Sequence, residues 1–151
     1  MLHKIKLLIP FFILFALLGL LAQQLFFSKK DELPSALIGQ AVPTFALPNL
    51  LSSGNLLSNR DLQGEVALLN VWATWCSACM EEHSMLMKIK NQYHIPIYSI
   101  VYKDKPEEVK NWLKNNGNPY QAIGHDVNGE AAIELGVYGT PETFVISPKE
   151  K

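Results

Sequence analysis

Residues Val66–Glu82 read VALLNVWATWCSACMEE, and this stretch decides the fold. Its first seven residues, up to Trp72, form a mostly apolar run that predicts a buried strand. Cys76 and Cys79 then open a predicted helix that runs to Lys90. A thiol at a helix N-terminus lies beside unpaired backbone N–H groups at the positive end of the helix dipole, which favours the reactive thiolate. Because Cys79 follows about one turn later, the two sulfurs can form or release a disulfide bond.

Composition and charge limit the possible classes of protein. A chain of 151 residues predicts one domain with an N-terminal appendage. All 14 acidic residues lie from Asp31 onward, whereas four of the 13 basic residues precede it. This acidic balance argues against binding to a nucleic acid backbone. Two cysteines cannot supply a disulfide scaffold or a four-cysteine zinc site.

The N-terminal segment has the length and composition of a membrane anchor. Leu7–Phe27 contains 21 residues without a charge, enough for a helix to span a hydrocarbon core of about 30 Å. In a cleaved signal peptide cut after Ala22, Leu20 would occupy a position that needs a small residue. We therefore predict an anchor at 1–28, a polar linker at 29–37 and a domain at 38–151. The flanking charges give only a slight bias for its orientation.

The remainder predicts alternating strands and helices around one sheet. Asp104 is a candidate N-cap for the helix Pro106–Asn116, and three leucines before the cysteines, Leu56, Leu57 and Leu62, are expected to point inward. A strand–helix–strand unit of this size favours parallel pairing. The predicted elements after the cysteine helix are a strand at Ile95–Tyr102, the helix at Pro106–Asn116, a short helix at Glu130–Leu135 and a third strand within Val137–Ile146.

Three segments together resemble a known family. They are NVWATWCSACMEEH (Asn70–His83), YKDKPEEVKNWLKNNGNPY (Tyr102–Tyr120) and GVYGTPETF (Gly136–Phe144). They are similar to the membrane-anchored thioredoxin-like proteins of cytochrome c maturation, the DsbE/CcmG type. The resemblance implies an α/β thioredoxin-like fold, a central sheet with flanking helices, behind an N-terminal transmembrane helix. A thioredoxin fold adds a strand and a helix after Ile146, and this sequence is expected to lack them.

The same resemblance implies a place and a reaction. Such a protein is anchored in the bacterial inner membrane by a single span, with its globular domain in the periplasm. It would reduce the thiols of apocytochrome c, or of a protein carrying them, before haem attachment. Its electrons would come from a transmembrane thiol-disulfide reductase. No metal site, organic cofactor or nucleic acid partner is implied.

Roles in catalysis or in substrate docking are assigned to the two cysteines and to three residues near them. Cys76 is expected to attack, and Cys79 to resolve the mixed disulfide by attacking the sulfur of Cys76. The resemblance implies that Pro141 is a cis-proline facing the cysteines, with Thr140 offering its backbone to an extended substrate strand. Trp75 is expected to cover Cys76 and to form part of the docking surface.

Two acidic residues are expected beside the two cysteines. The resemblance places Glu82 and Glu142 near the disulfide, where a carboxylate could accept the proton of Cys79 during resolution. Asn70 stands where ordinary thioredoxins carry a buried carboxylate, and an amide cannot take a proton in its place. The role of proton acceptor is therefore expected to move elsewhere, with Glu142 as the first candidate. Ser77 and Ala78 lie between the cysteines, where the family usually has a proline.

Several alternatives remain open at this stage. The cysteine pair could be a purely structural disulfide, although a bridge over so short a loop stabilises little. Within the same class, the chain could be a general periplasmic thiol reductase. In a different class, it could be a copper-binding assembly protein. That class would need a distant histidine ligand, and nothing in the sequence frames His125 as one. His83 follows the cysteines at a spacing that suggests a metal, but no further ligand set is evident. It could also be an inactive shortened form.

Overall fold

The computed structural model of the protein describes residues 2–27 and 37–148. The chain divides into two compact units, Met1–Pro34 and Ser35–Lys151. In the first unit, helix α1 covers Leu2–Phe27. Within the described residues, no helix combines the length and apolar character that a membrane crossing requires, so the predicted anchor stays a prediction. The predicted linker at 29–37 lies outside the described residues except for its last position.

The second unit carries the strands and the remaining helices. A short 3-10 turn at Asn59–Leu62 follows the second strand. In chain order the elements are β1 (Ala46–Pro48), β2 (Leu56–Ser58), β3 (Ala67–Trp72), α2 (Ser77–Tyr93), β4 (Ile97–Tyr102), α3 (Pro106–Asn116), β5 (Ala122–Asp126), α4 (Glu130–Glu134) and β6 (Glu142–Ile146).

A four-stranded mixed sheet forms the centre of this unit. Its strand order is β5-β4-β3-β6, while β1 and β2 pair separately. Strand β3 is parallel to β4 and β4 is parallel to β5, whereas β6 runs antiparallel to β3. The predicted strand–helix–strand unit with parallel pairing is therefore confirmed. Among the described strands, β6 forms one edge of the sheet, and its Val145 is exposed.

Apolar side chains cover both faces of the sheet, since alternate residues of a strand point to opposite sides. On one face, Trp72 packs with Leu86 of α2 and Val109 of α3. On the other face, Leu69 and Val71 pack with α4 and the β1–β2 hairpin. Burying each such side chain stabilises the fold by about 1.5–3 kcal/mol. This two-sided burial explains why β3 is a nearly continuous apolar run.

Two local predictions are wrong. Leu56 is 59% exposed, because its neighbour Leu57 takes the inward position and adjacent side chains of a strand alternate. Asp104 is not the N-cap of α3. The N-cap residue is Lys105, whose side chain makes no capping hydrogen bond. The carboxylate of Asp104 instead accepts the backbone N–H groups of Thr74 and Lys105, and thereby ties the start of α3 to the loop before Cys76.

Candidate active site

The cysteine pair lies at the N-terminal end of α2. Cys76 is the N-cap residue, with extended backbone, and the helix begins at Ser77. Cys76 and Cys79 form a disulfide bond, with α-carbons 5.3 Å apart. The Sγ atom of Cys76 also accepts the backbone N–H of Cys79 at 3.2 Å. In the reduced protein, a donor at this position stabilises a thiolate on Cys76.

The loop between β3 and α2 is held by the segment that follows β4. The backbone N–H of Thr74 donates to Asp104, and the indole Nε1 of Trp75 donates to the carbonyl of Lys103 at 3.4 Å. The Trp75 ring meets Tyr102 edge-on, with centroids 6.3 Å apart. Trp75 is nevertheless 60% exposed. It lies directly before the buried Cys76, a placement that suits its predicted part in docking a partner.

We expect the reduced protein to alkylate faster at Cys76 than at Cys79 at neutral pH. The two residues differ little in exposure, 7% and 4%, so burial alone would give similar rates. The N-cap position should instead make Cys76 the more ionised thiol, and the thiolate is the reactive form. Mass spectrometry of peptides after brief iodoacetamide treatment measures both rates. Equal rates would contradict the assignment of Cys76 as the attacking thiol.

The loop that contains Pro141 and leads into β6 lies at the same end of the sheet as the cysteine pair. The Thr140–Pro141 peptide bond is cis, as the resemblance implies. Glu142 begins β6 and pairs with Val71 of β3. Because β3 ends one residue later and leads to the cysteine loop, Thr140, Pro141 and Glu142 lie at the end of the sheet from which Cys76 projects.

A polar cluster lies beneath the first turns of α2. Glu82 accepts the hydroxyl of Thr143 at 3.0 Å and the amide Nδ2 of Asn70 at 3.4 Å. The same Nδ2 atom donates to Thr143 Oγ1 at 2.9 Å, and Tyr120 donates its hydroxyl to Asn70 Oδ1 at 2.9 Å. Asn70 is 1% exposed. The structure thus brings Glu82 and Asn70 together, and adds Thr143 and Tyr120, which sequence reasoning missed.

Comparison with known proteins decides the family. Residues 38–151 match the AhpC/TSA family. The thiol:disulfide interchange protein DsbE of Vibrio cholerae is 40% identical over 148 residues, covering 95% of this chain and 80% of that protein. The DsbE of Haemophilus influenzae is 39% identical over 150 residues, covering 97% and 82%. The chain belongs to the DsbE family.

Solved structures agree with this fold. A secreted disulfide oxidoreductase of Mycobacterium tuberculosis, described as homologous to DsbE of E. coli, matches with a TM-score of 0.61 and 17% identity, covering 68% of this chain and 75% of that one. A secreted thiol-disulfide isomerase of Corynebacterium glutamicum matches with a TM-score of 0.62 and 23% identity, covering 70% and 68%. The DsbE-family chain therefore has a thioredoxin-like α/β fold, and with its cysteine pair it is a thiol-disulfide oxidoreductase.

The stability of this DsbE-family protein should depend on pH through Glu142. Burial raises the pKa of the Glu142 carboxyl above its ordinary value. The folded protein therefore keeps this proton at pH values where the unfolded chain has released it, so stability falls as pH rises through that interval. In Glu142→Gln, the free energy of unfolding should decline less as pH rises above the ordinary glutamate pKa of 4.5. Urea unfolding at several pH values measures this.

Glu81→Gln is the matched control, since Glu81 is an exposed carboxyl of α2. It should keep the pH dependence of the wild type. A Glu142→Gln protein whose stability follows the same pH curve as the wild type would contradict the role of burial at this site.

The two histidines considered as metal ligands each contact a backbone carbonyl. His83 is buried, with Nε2 at 3.2 Å from the carbonyl oxygen of Asn116 and its ring edge-on to Trp112. Burial lowers its pKa, which favours the neutral imidazole. His125 Nε2 lies 2.8 Å from the carbonyl oxygen of Asp104. In the described part of this DsbE-family chain, no three His, Cys, Asp or Glu residues group as a metal site would require.

Proposed function

We propose that this thiol-disulfide oxidoreductase works as a reductant in cytochrome c maturation. Its substrate would be the disulfide of apocytochrome c, or of a protein that carries those thiols. The globular domain would act in the periplasm of a bacterium, tethered to the inner membrane by the N-terminal segment. The observation that carries the proposal is the Cys76–Cys79 pair at the N-cap of α2, in a chain that belongs to the DsbE family.

The reaction transfers two electrons through two successive disulfides. The thiolate of Cys76 attacks one sulfur of the partner's disulfide, which forms a mixed disulfide and releases the other sulfur as a thiolate. Cys79 then loses its proton and attacks Cys76 Sγ, so that the Cys76–Cys79 bond forms and the bond to the partner breaks. The partner leaves with both sulfurs reduced. A transmembrane thiol-disulfide reductase would afterwards reduce the Cys76–Cys79 bond.

A carboxylate near Cys79 would take the proton of the second step. Glu82 and Glu142 are the two candidates that the sequence suggests. Glu82 lies three residues after Cys79 on α2, so the two side chains share one side of the helix. Glu142 lies at the end of the sheet near the cysteine loop. We assign the role of proton acceptor in resolution to Glu82, and a place beside the docking partner to Glu142.

Complementation tests the proposal. In a bacterium that lacks its own DsbE-family protein, the wild-type chain should restore covalent haem in c-type cytochromes, measured by haem staining after denaturing electrophoresis. The Cys76→Ala variant should restore none, and an added membrane-permeant thiol should bypass the defect. If haem attachment were normal with Cys76→Ala, and the thiol status of many other exported proteins were altered instead, the chain would be a general thiol reductase. A reporter fused after Lys151 would test the orientation.

A further inference from the structure

We propose that Asn70 and Tyr120 are positioning residues that orient the carboxylate of Glu82 for the resolution step at Cys79. This inference rests on the proposed role of Glu82 as the proton acceptor. It assigns a function to two residues that neither exchange sulfur nor accept the proton themselves.

Both oxygens of the Glu82 carboxylate are held by donors from the sheet. Thr143 donates to Oε1 at 3.0 Å, and Asn70 donates to Oε2 at 3.4 Å. Asn70 and Thr143 are paired directly across β3 and β6, and Asn70 Nδ2 also donates to Thr143 Oγ1 at 2.9 Å. The two donors therefore come from one rigid pair of strands. They fix the position and the rotation of a carboxylate that belongs to α2.

The hydroxyl of Tyr120 determines which way the Asn70 amide points. Burial, and next the charge of Glu82, raise the pKa of Tyr120 far above the physiological range, so the phenol keeps its proton and donates. It donates to Asn70 Oδ1 at 2.9 Å, which leaves the NH2 group of the amide facing Glu82. With the amide reversed, its oxygen would face the carboxylate, and neither group could donate to the other.

The oriented carboxylate lies on the helix that carries Cys79. Cys79 and Glu82 are three residues apart on α2 and hence on one side of it. Cys79 and Tyr120 belong to the same buried cluster against β3. An acceptor on this side can take the Cys79 proton as that sulfur attacks Cys76. Since Cys76 attacks the substrate in an earlier step, loss of the orientation should slow resolution and leave the attack unchanged.

Single-turnover kinetics with glutathione disulfide separate these two steps. The reduced full-length protein is mixed with the probe, quenched with acid and analysed by mass spectrometry for the glutathione adduct. Glu82→Gln should prolong the adduct roughly 100-fold, as expected for loss of a general base. Tyr120→Phe should prolong it roughly 10-fold, because the base remains but is no longer oriented. The rate of adduct formation, measured with Cys79→Ala as background, should not change.

A double-mutant cycle distinguishes positioning from a general structural effect. If Tyr120 acts through Glu82, Tyr120→Phe should add nothing to the adduct lifetime of Glu82→Gln. Tyr98→Phe is the matched control, because Tyr98 packs with the other core, on the opposite face of the sheet. It should leave the lifetime at the wild-type value. If Tyr120→Phe does not fold, Thr143→Val removes the donor to Oε1 from the edge strand and should give the same pattern.

Three results would overturn the inference. The first is an unchanged adduct lifetime in Tyr120→Phe. The second is an equal slowing by Tyr120→Phe with and without Glu82→Gln. The third is an unaffected Glu82→Gln protein, which would remove the acceptor role while disulfide exchange, and with it the proposed function, still stands. Failure of the Cys79→Ala protein to form any adduct would overturn both the inference and the proposed function.

Discussion

Replacing Cys76 with alanine is expected to reduce disulfide exchange to the uncatalysed background. The reaction begins with attack by a thiolate, and Cys76 is the sulfur at the N-cap of α2. Cys79 lies one turn into the helix, away from the N-cap position that favours the thiolate, and should not replace Cys76 as the nucleophile. Reduction of a chromogenic aromatic disulfide by the pre-reduced protein, followed by absorbance, measures the rate.

Cys76→Ser is the matched control for the fold in this experiment. Serine is a favourable N-cap residue, whereas alanine lacks the acceptor and typically costs the helix about 1 kcal/mol. We therefore expect both variants to be inactive, with Cys76→Ser the more stable of the two in urea unfolding. Appreciable exchange activity in either variant would show that another group attacks, and would refute the order of steps.

Replacing Cys79 with alanine is expected to convert a transient intermediate into a stable product. Cys76 can still attack, but no second thiol remains to resolve the mixed disulfide. A peptide disulfide containing two cysteines and a histidine in the order of a haem-attachment motif is a suitable probe. We expect about one peptide per protein molecule, stable for hours and released by dithiothreitol. The wild-type protein should show no adduct on that timescale.

Ser77→Ala is a useful control for the Cys79→Ala protein. Ser77 is exposed and lies within the same loop of the disulfide, but it carries no thiol. Its adduct should resolve as in the wild type. A Cys79→Ala protein that never retains the peptide would contradict the two-cysteine mechanism, since the mixed disulfide would then not be an intermediate.

Local sequence patterns were sufficient to predict the central strand–helix–strand unit. The apolar run before the cysteines is typical of a strand buried on both faces of a sheet, and β3 covers Ala67–Trp72. Pro106 with two following acids predicts a helix start, and α3 covers Pro106–Asn116. These signals lie within a few residues of the structure they specify. The helix with the cysteines continues to Tyr93, slightly beyond the predicted Lys90.

Features that depend on distant residues could not be predicted in this way. Asn70 meets Thr143 and Tyr120 across 73 and 50 residues of chain. The contact with Thr143 exists only because β6 pairs with β3 in one register, and the contact with Tyr120 depends on the packing of the segment after α3. Nothing in the neighbourhood of Tyr120 distinguishes it from an ordinary core tyrosine. Likewise Asp104 could have capped α3, but the closed fold brings Thr74 within its reach. The missed parts of the site are therefore those set by tertiary packing.

The redox equilibrium of the Cys76–Cys79 pair tests the central claim most directly. The full-length protein would be equilibrated with glutathione buffers of varied ratio, its thiols counted by acid quench and alkylation, and its fold followed by circular dichroism. We predict one reversible two-electron transition between a folded disulfide form and an equally folded dithiol form. A disulfide that resists reduction until the protein unfolds would show a structural bridge, and would contradict electron transfer through this pair.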